Sequence, residues 1–161
     1  MKKLLMLLLC AAVAIGSLTA CGKNKTEDDF DMDALREDML NASELPEMLS
    51  ADSSGDNAER KLASLTDIDY DKVADFFIEY AADGSSYEIA VIRLKSADDV
   101  KTVEKDLHSH IESRTEQYRY YQPDQAPRAE SAIVVTADTC VALIMCDDPS
   151  AVKAAFEKAF S

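Results

Sequence analysis

Val73-Ala74-Asp75-Phe76-Phe77-Ile78-Glu79-Tyr80-Ala81 and Tyr87-Glu88-Ile89-Ala90-Val91-Ile92-Arg93-Leu94 are two runs of aromatic and β-branched residues, separated by Asp83-Gly84-Ser85. Side chains of this kind suit a pleated, half-buried surface, and an Asp-Gly-Ser break is turn chemistry. The two runs therefore predict a β-hairpin, and the rest of the chain is read outward from it.

Downstream, Ser96 with Asp99 three positions on resembles a capping box. Val100, Val103, Leu107, Ile111, Tyr118 and Tyr121 then keep helical spacing, with Tyr118 and Tyr121 on the buried stripe. Pro123 and Pro127 end that helix and open a loop. A second hairpin follows: Ala132 to Thr136, the connection Ala137-Asp138-Thr139, then Cys140 to Cys146. Asp148-Pro149 is a cap followed by proline at the first helical position, and Val152, Ala155, Phe156, Ala159 and Phe160 form an amphipathic terminal helix. The order is β-β-α-β-β-α. It predicts an α+β fold: one two-layer domain, with a four-stranded, mainly antiparallel sheet and helices on one face.

Upstream, Met32, Leu35, Met39 and Leu40 predict a short amphipathic helix with Asp31 as its cap. Pro46 limits it, Ser50 to Asn57 reads as a loop, and Ala58 to Leu65 gives another helical turn or two. The folded domain is thus expected over 31–161, with its core over 73–161 and an N-terminal helical segment.

The leader, Met1 to Ala20, has a different character. Lys2 and Lys3 precede an apolar run from Leu4 to Ile15, then Gly16-Ser17 and Leu18-Thr19-Ala20-Cys21. The run from Leu4 to Ile15 falls short of the ~20 apolar residues that a spanning helix needs. A plain secretory signal would also use small residues, but the Leu-Thr-Ala-Cys ending is the layout of a lipoprotein signal. This predicts cleavage between Ala20 and Cys21, a diacylglycerol on the Cys21 thiol, and a polar tether over 21–30. The expected location is the outer, extracytoplasmic face of the cell membrane.

The chain carries a net charge of −14, which becomes −16 without the leader, because Met1 to Ala20 hold two lysines and no acid. Twelve acids and three bases fall within 22–59. Nucleic-acid binding needs clustered Lys and Arg, so that class is excluded. Electrostatic docking on anionic headgroups is disfavoured for the same reason, which leaves the Cys21 lipid as the membrane anchor.

Few residues offer chemistry. Cys140 and Cys146 lie six apart on one extended segment, roughly 20 Å at about 3.3 Å per residue, whereas a disulfide needs about 4.4–6.8 Å between Cα atoms. They read as buried free thiols rather than as a disulfide or a metal pair. His108 and His110, two apart on a helix, do not share a face and read as partly exposed helix residues. The series Asp29-Asp31-Asp33 and Asp67-Asp69-Asp71 lack the glycine at position six and glutamate at position twelve of a calcium loop, so no metal site is expected. Glu79 and Glu88 on facing strands could pair as carboxylates, although solvation at a strand edge explains them as readily. No Gly-x-Ser-x-Gly elbow is present, and four glycines leave no phosphate-cradling loop. Tyr118-Arg119-Tyr120-Tyr121 is the densest aromatic patch. Within it Arg119 and Tyr120 are the expected exposed pair, the candidate ligand patch.

The leader, the approach Asp67-Ile68-Asp69-Tyr70-Asp71, the strand Tyr87-Glu88-Ile89-Ala90-Val91 and the helix ending Tyr121-Gln122-Pro123 occur together, followed by an apolar hairpin and a short terminal helix. This resembles the family of small Gram-positive lipoproteins bearing domain of unknown function 4358, over roughly Met32 to Phe160. The family's second hairpin tends to turn on a glycine-lysine type pair, where this chain has Ala137-Asp138-Thr139. The resemblance implies no activity, ligand or catalytic residue.

Taken together, the expected role is a membrane-anchored, non-catalytic binding or accessory module of the cell envelope. Its partner would be an envelope protein or wall component, with no cofactor beyond the lipid. The alternative is a small solute-binding receptor serving a transporter. Such receptors usually need two lobes and a cleft, for which the span from Cys21 to Ser161 is short. An envelope enzyme ranks third.

Overall fold

The computed structural model describes residues 30–161. The expected leader, its cleavage site, Cys21 and nearly all of the expected tether lie outside the described residues. From Asp31 onward the chain forms one unit. Its elements are α1 (Met32–Asn41), β1 (Met48–Asp52), α2 (Ala58–Leu62), β2 (Val73–Ala81), β3 (Glu88–Leu94), α3 (Val100–Tyr121), α4 (Ala126–Glu130), β4 (Ile133–Ala137), β5 (Cys140–Met145) and α5 (Pro149–Lys158).

Both hairpins form as expected. β2 and β3 pair antiparallel from Val73↔Leu94 to Tyr80↔Glu88, and Gly84 takes the left-handed conformation (φ 77°) that the tight connection requires. β4 and β5 pair from Ile133↔Ile144 to Ala137↔Cys140. β3 joins β5, also antiparallel, so the sheet order is β1-β2-β3-β5-β4. Local chemistry sets the helix starts. Asp31 accepts from the Ala34 amide at 2.9 Å, and Asp148 from the Ala151 amide at 3.1 Å, each capping its helix. Ser96 caps a single 3₁₀ turn, Ala97–Asp99, that leads into α3.

The sheet has five strands rather than four. The additional strand is β1, part of which falls in the stretch 50–57 that composition marks as loop. Met-Leu-Ser-Ala-Asp has little strand propensity of its own. It is extended because β2 pairs with it over its whole length, from Met48↔Ala81 to Asp52↔Phe77.

The helices cover both faces, so the domain has three layers rather than two. On one face Phe76, Ile78, Ala90, Ile92, Val141 and Leu143 pack with Val103 and Leu107 of α3 and Leu62 of α2. The alternate residues Phe77, Ile89, Val91, Ala142 and Ile144 point the other way and are equally buried. That second face belongs to α1 and α5, which pack on each other and on β2, β4 and β5. Leu35, Met39, Val152 and Phe156 are their buried residues. Fully burying one such side chain contributes roughly 1.5–3 kcal/mol. A strand with both faces covered has no polar side. That is why Ile89-Ala90-Val91-Ile92 and all of Cys140–Met145 are continuously apolar.

Pro127 does not lie in an open loop. It sits in the first turn of α4, where a missing N–H costs nothing. Ala126 and Ala129 of α4 then close the end of the core against Tyr118 and Met145.

Candidate functional site

α3 outlasts the sheet beneath it, and that decides the fate of its tyrosines. Tyr118 is the last to meet the core: it is buried and donates its hydroxyl to the Ser85 carbonyl at 3.2 Å. Arg114 stacks on its ring and hydrogen-bonds its hydroxyl. Burial pushes the Tyr118 phenol above the usual range. Tyr121 is not on the buried stripe. One turn further on there is no sheet to cover it, and it is 73 % exposed beside Tyr120 at 80 %. The two rings meet edge to face with centroids 4.7 Å apart. Arg119 is exposed as expected but is held by Glu130 of α4, with Nε and Nη2 at 2.9 and 2.7 Å from Oε1. The candidate patch is therefore the pair Tyr120–Tyr121, with Arg119 fixed at its rim.

Glu79 and Glu88 do not pair. Glu79 lies opposite Ile89 and Glu88 opposite Tyr80, one register step apart, so their side chains leave opposite faces of the sheet. Neither is solvated at an edge: Glu79 is 3 % and Glu88 8 % exposed. Each has its own basic partner from the helix above it. Arg36 of α1 reaches Glu79 at 2.5 Å, and His110 Nε2 of α3 lies 2.9 Å from Glu88 Oε2. Burial of a carboxylate demands such a partner. His110 is thus a core-facing residue, while His108 is exposed.

Both thiols are free and buried. Burial pushes Cys140 up to about 12 and raises Cys146 as well. A thiol held so strongly protonated is a poor nucleophile and a poor metal ligand. Of the aspartate series, Asp31 is committed to the α1 cap. Asp67 lies in a connection that Asp106 of α3 holds through the Thr66 hydroxyl and the Asp67 amide. Among the described residues no group of three His, Cys, Asp or Glu side chains is arranged to hold a metal ion. No described helix is long and apolar enough to cross a membrane.

The densest polar network was not anticipated, because its members are scattered along the sequence. Arg128 of α4 bonds Asp147 (2.7 Å), Ser86 (3.0 Å), Gln125 (2.7 Å) and the Tyr87 hydroxyl (3.0 Å), and its guanidinium stacks 3.8 Å from the Tyr87 ring. Tyr87 in turn donates to Asp147 at 2.6 Å. That hydrogen bond, with Arg128 beside it, holds Asp147 below the usual carboxylate range, and the same bond together with burial raises Tyr87 against the opposing effect of Arg128. Nearly every donor of the guanidinium is used, so the network is a clamp joining the β2–β3 hairpin, α4 and the end of β5. Arg128 and Asp147 stand 19 residues apart and Arg128 and Tyr87 stand 41 apart, so no local pattern signals it.

Comparison with known families gives a match over most of the chain. The model of a domain of unknown function, DUF4358, matches residues 47–146. The match runs from the residue before β1 to the residue after β5, and so takes in the whole sheet, α2, α3 and α4. It is narrower than the resemblance over Met32 to Phe160, leaving out α1 and α5, the helices that cover the second face. No curated protein and no solved structure matches the chain.

Proposed function

The chain belongs to the DUF4358 family, and we propose that it is an extracytoplasmic lipoprotein, held to the membrane by a diacylglycerol on Cys21, that serves as a non-catalytic binding or accessory module of the cell envelope. The observation that carries the binding role is the Tyr120–Tyr121 pair. Two large aromatic rings stand free at the end of a helix, in a domain whose other aromatic side chains are buried or half-buried among the described residues. Such rings offer contact area at low entropic cost, and they are enriched where proteins meet partners.

The non-catalytic part rests on how the reactive groups are used. The thiols are buried and strongly protonated, the two core glutamates are each paired, and nearly every donor of Arg128 is taken by an internal partner. The membrane address rests on Leu18-Thr19-Ala20-Cys21 and on a net charge of −14, which does not favour electrostatic docking on anionic headgroups.

Two experiments test this reading. Cys21→Ala abolishes incorporation of labelled fatty acid and partitioning into detergent, and persistence of the label defeats the lipoprotein assignment. A photo-crosslinking residue at position 120, activated in intact cells, gives a discrete adduct that a Tyr121→Ala background weakens. Recovery of the uncrosslinked monomer alone defeats the binding role at this patch.

A further inference from the structure

The edge of the sheet at β1 has an open backbone ladder. Glu47 accepts from the Ala82 amide (2.9 Å), and the Ser53 amide donates to Phe76 (3.2 Å). By antiparallel alternation the backbone groups of Glu47, Leu49, Ala51 and Ser53 face β2, so those of Met48, Ser50 and Asp52 face away from the sheet. Leu49, on the face it shares with Ala51 and Tyr80, is 45 % exposed. On the opposite face Ser50 and Asp52 are approached by Arg36 of α1, at 2.5 and 3.8 Å. Arg36 is also one wall of a groove of about 330 Å³, whose other walls are Asp33, Glu37, Leu40 and Asn41.

The charge is one-sided on the face of the edge that carries Ser50 and Asp52, whereas on the Leu49 face Lys61 of α2 lies over the Tyr80 ring. Residues 30–59 contain nine acids and a single base, Arg36, and Arg36 is already engaged with buried Glu79. Two surfaces with the same excess of acids repel each other through their summed charge, so this edge is disfavoured against a second copy of itself, the more so at low salt. It suits a strand of the opposite charge. The opposite edge, β4, is Ile-Val-Val-Thr-Ala and has no charge with which to select one.

We propose that the β1 edge binds an extended polypeptide segment of alternating basic and apolar residues, taken up as a sixth strand. The inference rests on the binding-module reading, but it names a partner chemistry and a surface separate from the tyrosine patch. The main-chain groups of Met48 and Ser50 supply the hydrogen bonds, as in other strand-addition sites. Alternation places the incoming apolar side chains beside Leu49. It sends the basic ones to the other face, toward Asp52 and the Asp33–Glu37 groove.

The test uses the full chain and a synthetic peptide, acetyl-(Lys-Val)₃-amide, with acetyl-(Glu-Val)₃-amide and a backbone N-methylated (Lys-Val)₃ as controls. The expected result is slowed hydrogen exchange at the Met48 and Ser50 amides with the lysine peptide alone. Affinity should fall at least about tenfold between 50 and 500 mM salt, as screening predicts, and at least about tenfold in Asp33→Lys/Glu37→Lys. Thermal melting of that variant verifies its fold, and Leu49→Lys, at an exposed position, gives a second, independent loss.

Equal binding of the glutamate or N-methylated peptide overturns the proposal. So does protection at β4 instead of β1, or concentration-dependent protection of the β1 amides without peptide, which would mean that a second copy is the occupant. If the peptide fails while the position-120 crosslink persists, the edge proposal falls and the binding role stands. If the β1 amides are protected but no crosslink forms, the tyrosine patch falls instead.

Discussion

Glu79 and Arg36 meet at 2.5 Å between β2 and α1, with the carboxylate almost fully buried and the guanidinium a quarter exposed. The contact fastens the helix of one layer to the sheet of the next. Removing Arg36 leaves a buried charge without its partner, which typically costs about 3–5 kcal/mol, whereas replacing both partners with apolar groups is often close to neutral. Arg36→Met should therefore lower unfolding stability by about 3 kcal/mol, and Arg36→Met/Glu79→Leu should recover most of it. Denaturant melts of the two single variants and the double variant measure the coupling. A double variant no more stable than Arg36→Met alone would contradict this account.

The thiol of Cys140 makes the fold sensitive to alkali. Its folded value of about 12 lies above the unfolded value of 9.0, so the native state holds a proton that the unfolded chain releases. This stability is complete below about pH 9 and is lost as pH rises toward 12, at up to about 1.4 kcal/mol per pH unit for one group. Cys140→Ala should flatten the alkaline limb of a stability–pH curve. At pH 8, iodoacetamide should leave Cys140 and Cys146 unmodified in the native protein and modify both in denaturant, as peptide mass spectrometry would show.

Asp147 has the opposite dependence. Its hydrogen bond from Tyr87, and Arg128 beside it, depress its folded pKa below the ordinary 3.8. The stabilisation is present above that ordinary value and is lost as pH falls through the folded one. The carboxylate is more than half exposed, so the effect is of surface size, about 1 kcal/mol or less. Asp147→Asn should show a small loss at pH 7 and a shallower acid limb. A loss of several kcal/mol would mean that the Arg128 clamp bears more of the fold than its exposure implies.

Asp138 carries the positive φ (50°) of the β4–β5 turn. The left-handed conformation costs an ordinary L-residue roughly 1–2 kcal/mol, aspartate and asparagine less, and glycine nothing. Asp138→Val should lower stability by about 1–2 kcal/mol and Asp138→Gly should not lower it, as read by thermal melting. The same geometry explains why a glycine-containing turn suits this hairpin.

Much of the fold can be read from short-range chemistry. The hairpin turn at Asp83-Gly84-Ser85, the caps at Asp31 and Asp148, and the periodic stripe of α3 are local features. Each says where an element starts or stops without reference to the rest of the chain. The continuous apolar runs of β3 and β5 also held a signal that pointed past a two-layer domain, since a strand with one wet face would alternate. The site was less accessible. Arg119 and Tyr120 are exposed as their positions imply, but periodicity places Tyr121 in the core when the core in fact ends one turn earlier.

What the amino-acid order determined is therefore the four strands, the long helix and the terminal helix from Val73 onward, though not α4, and the acidic character of the chain. Tertiary structure alone decided that Met48–Asp52 is a strand, that α1 and α5 close a third layer, and that Glu79 and Glu88 find their partners on opposite faces. The physical reason is distance along the chain. A cap or turn is satisfied within a single helical turn of its own position, whereas Arg36 reaches Glu79 and His110 reaches Glu88 only once the sheet has formed between the helices that carry them.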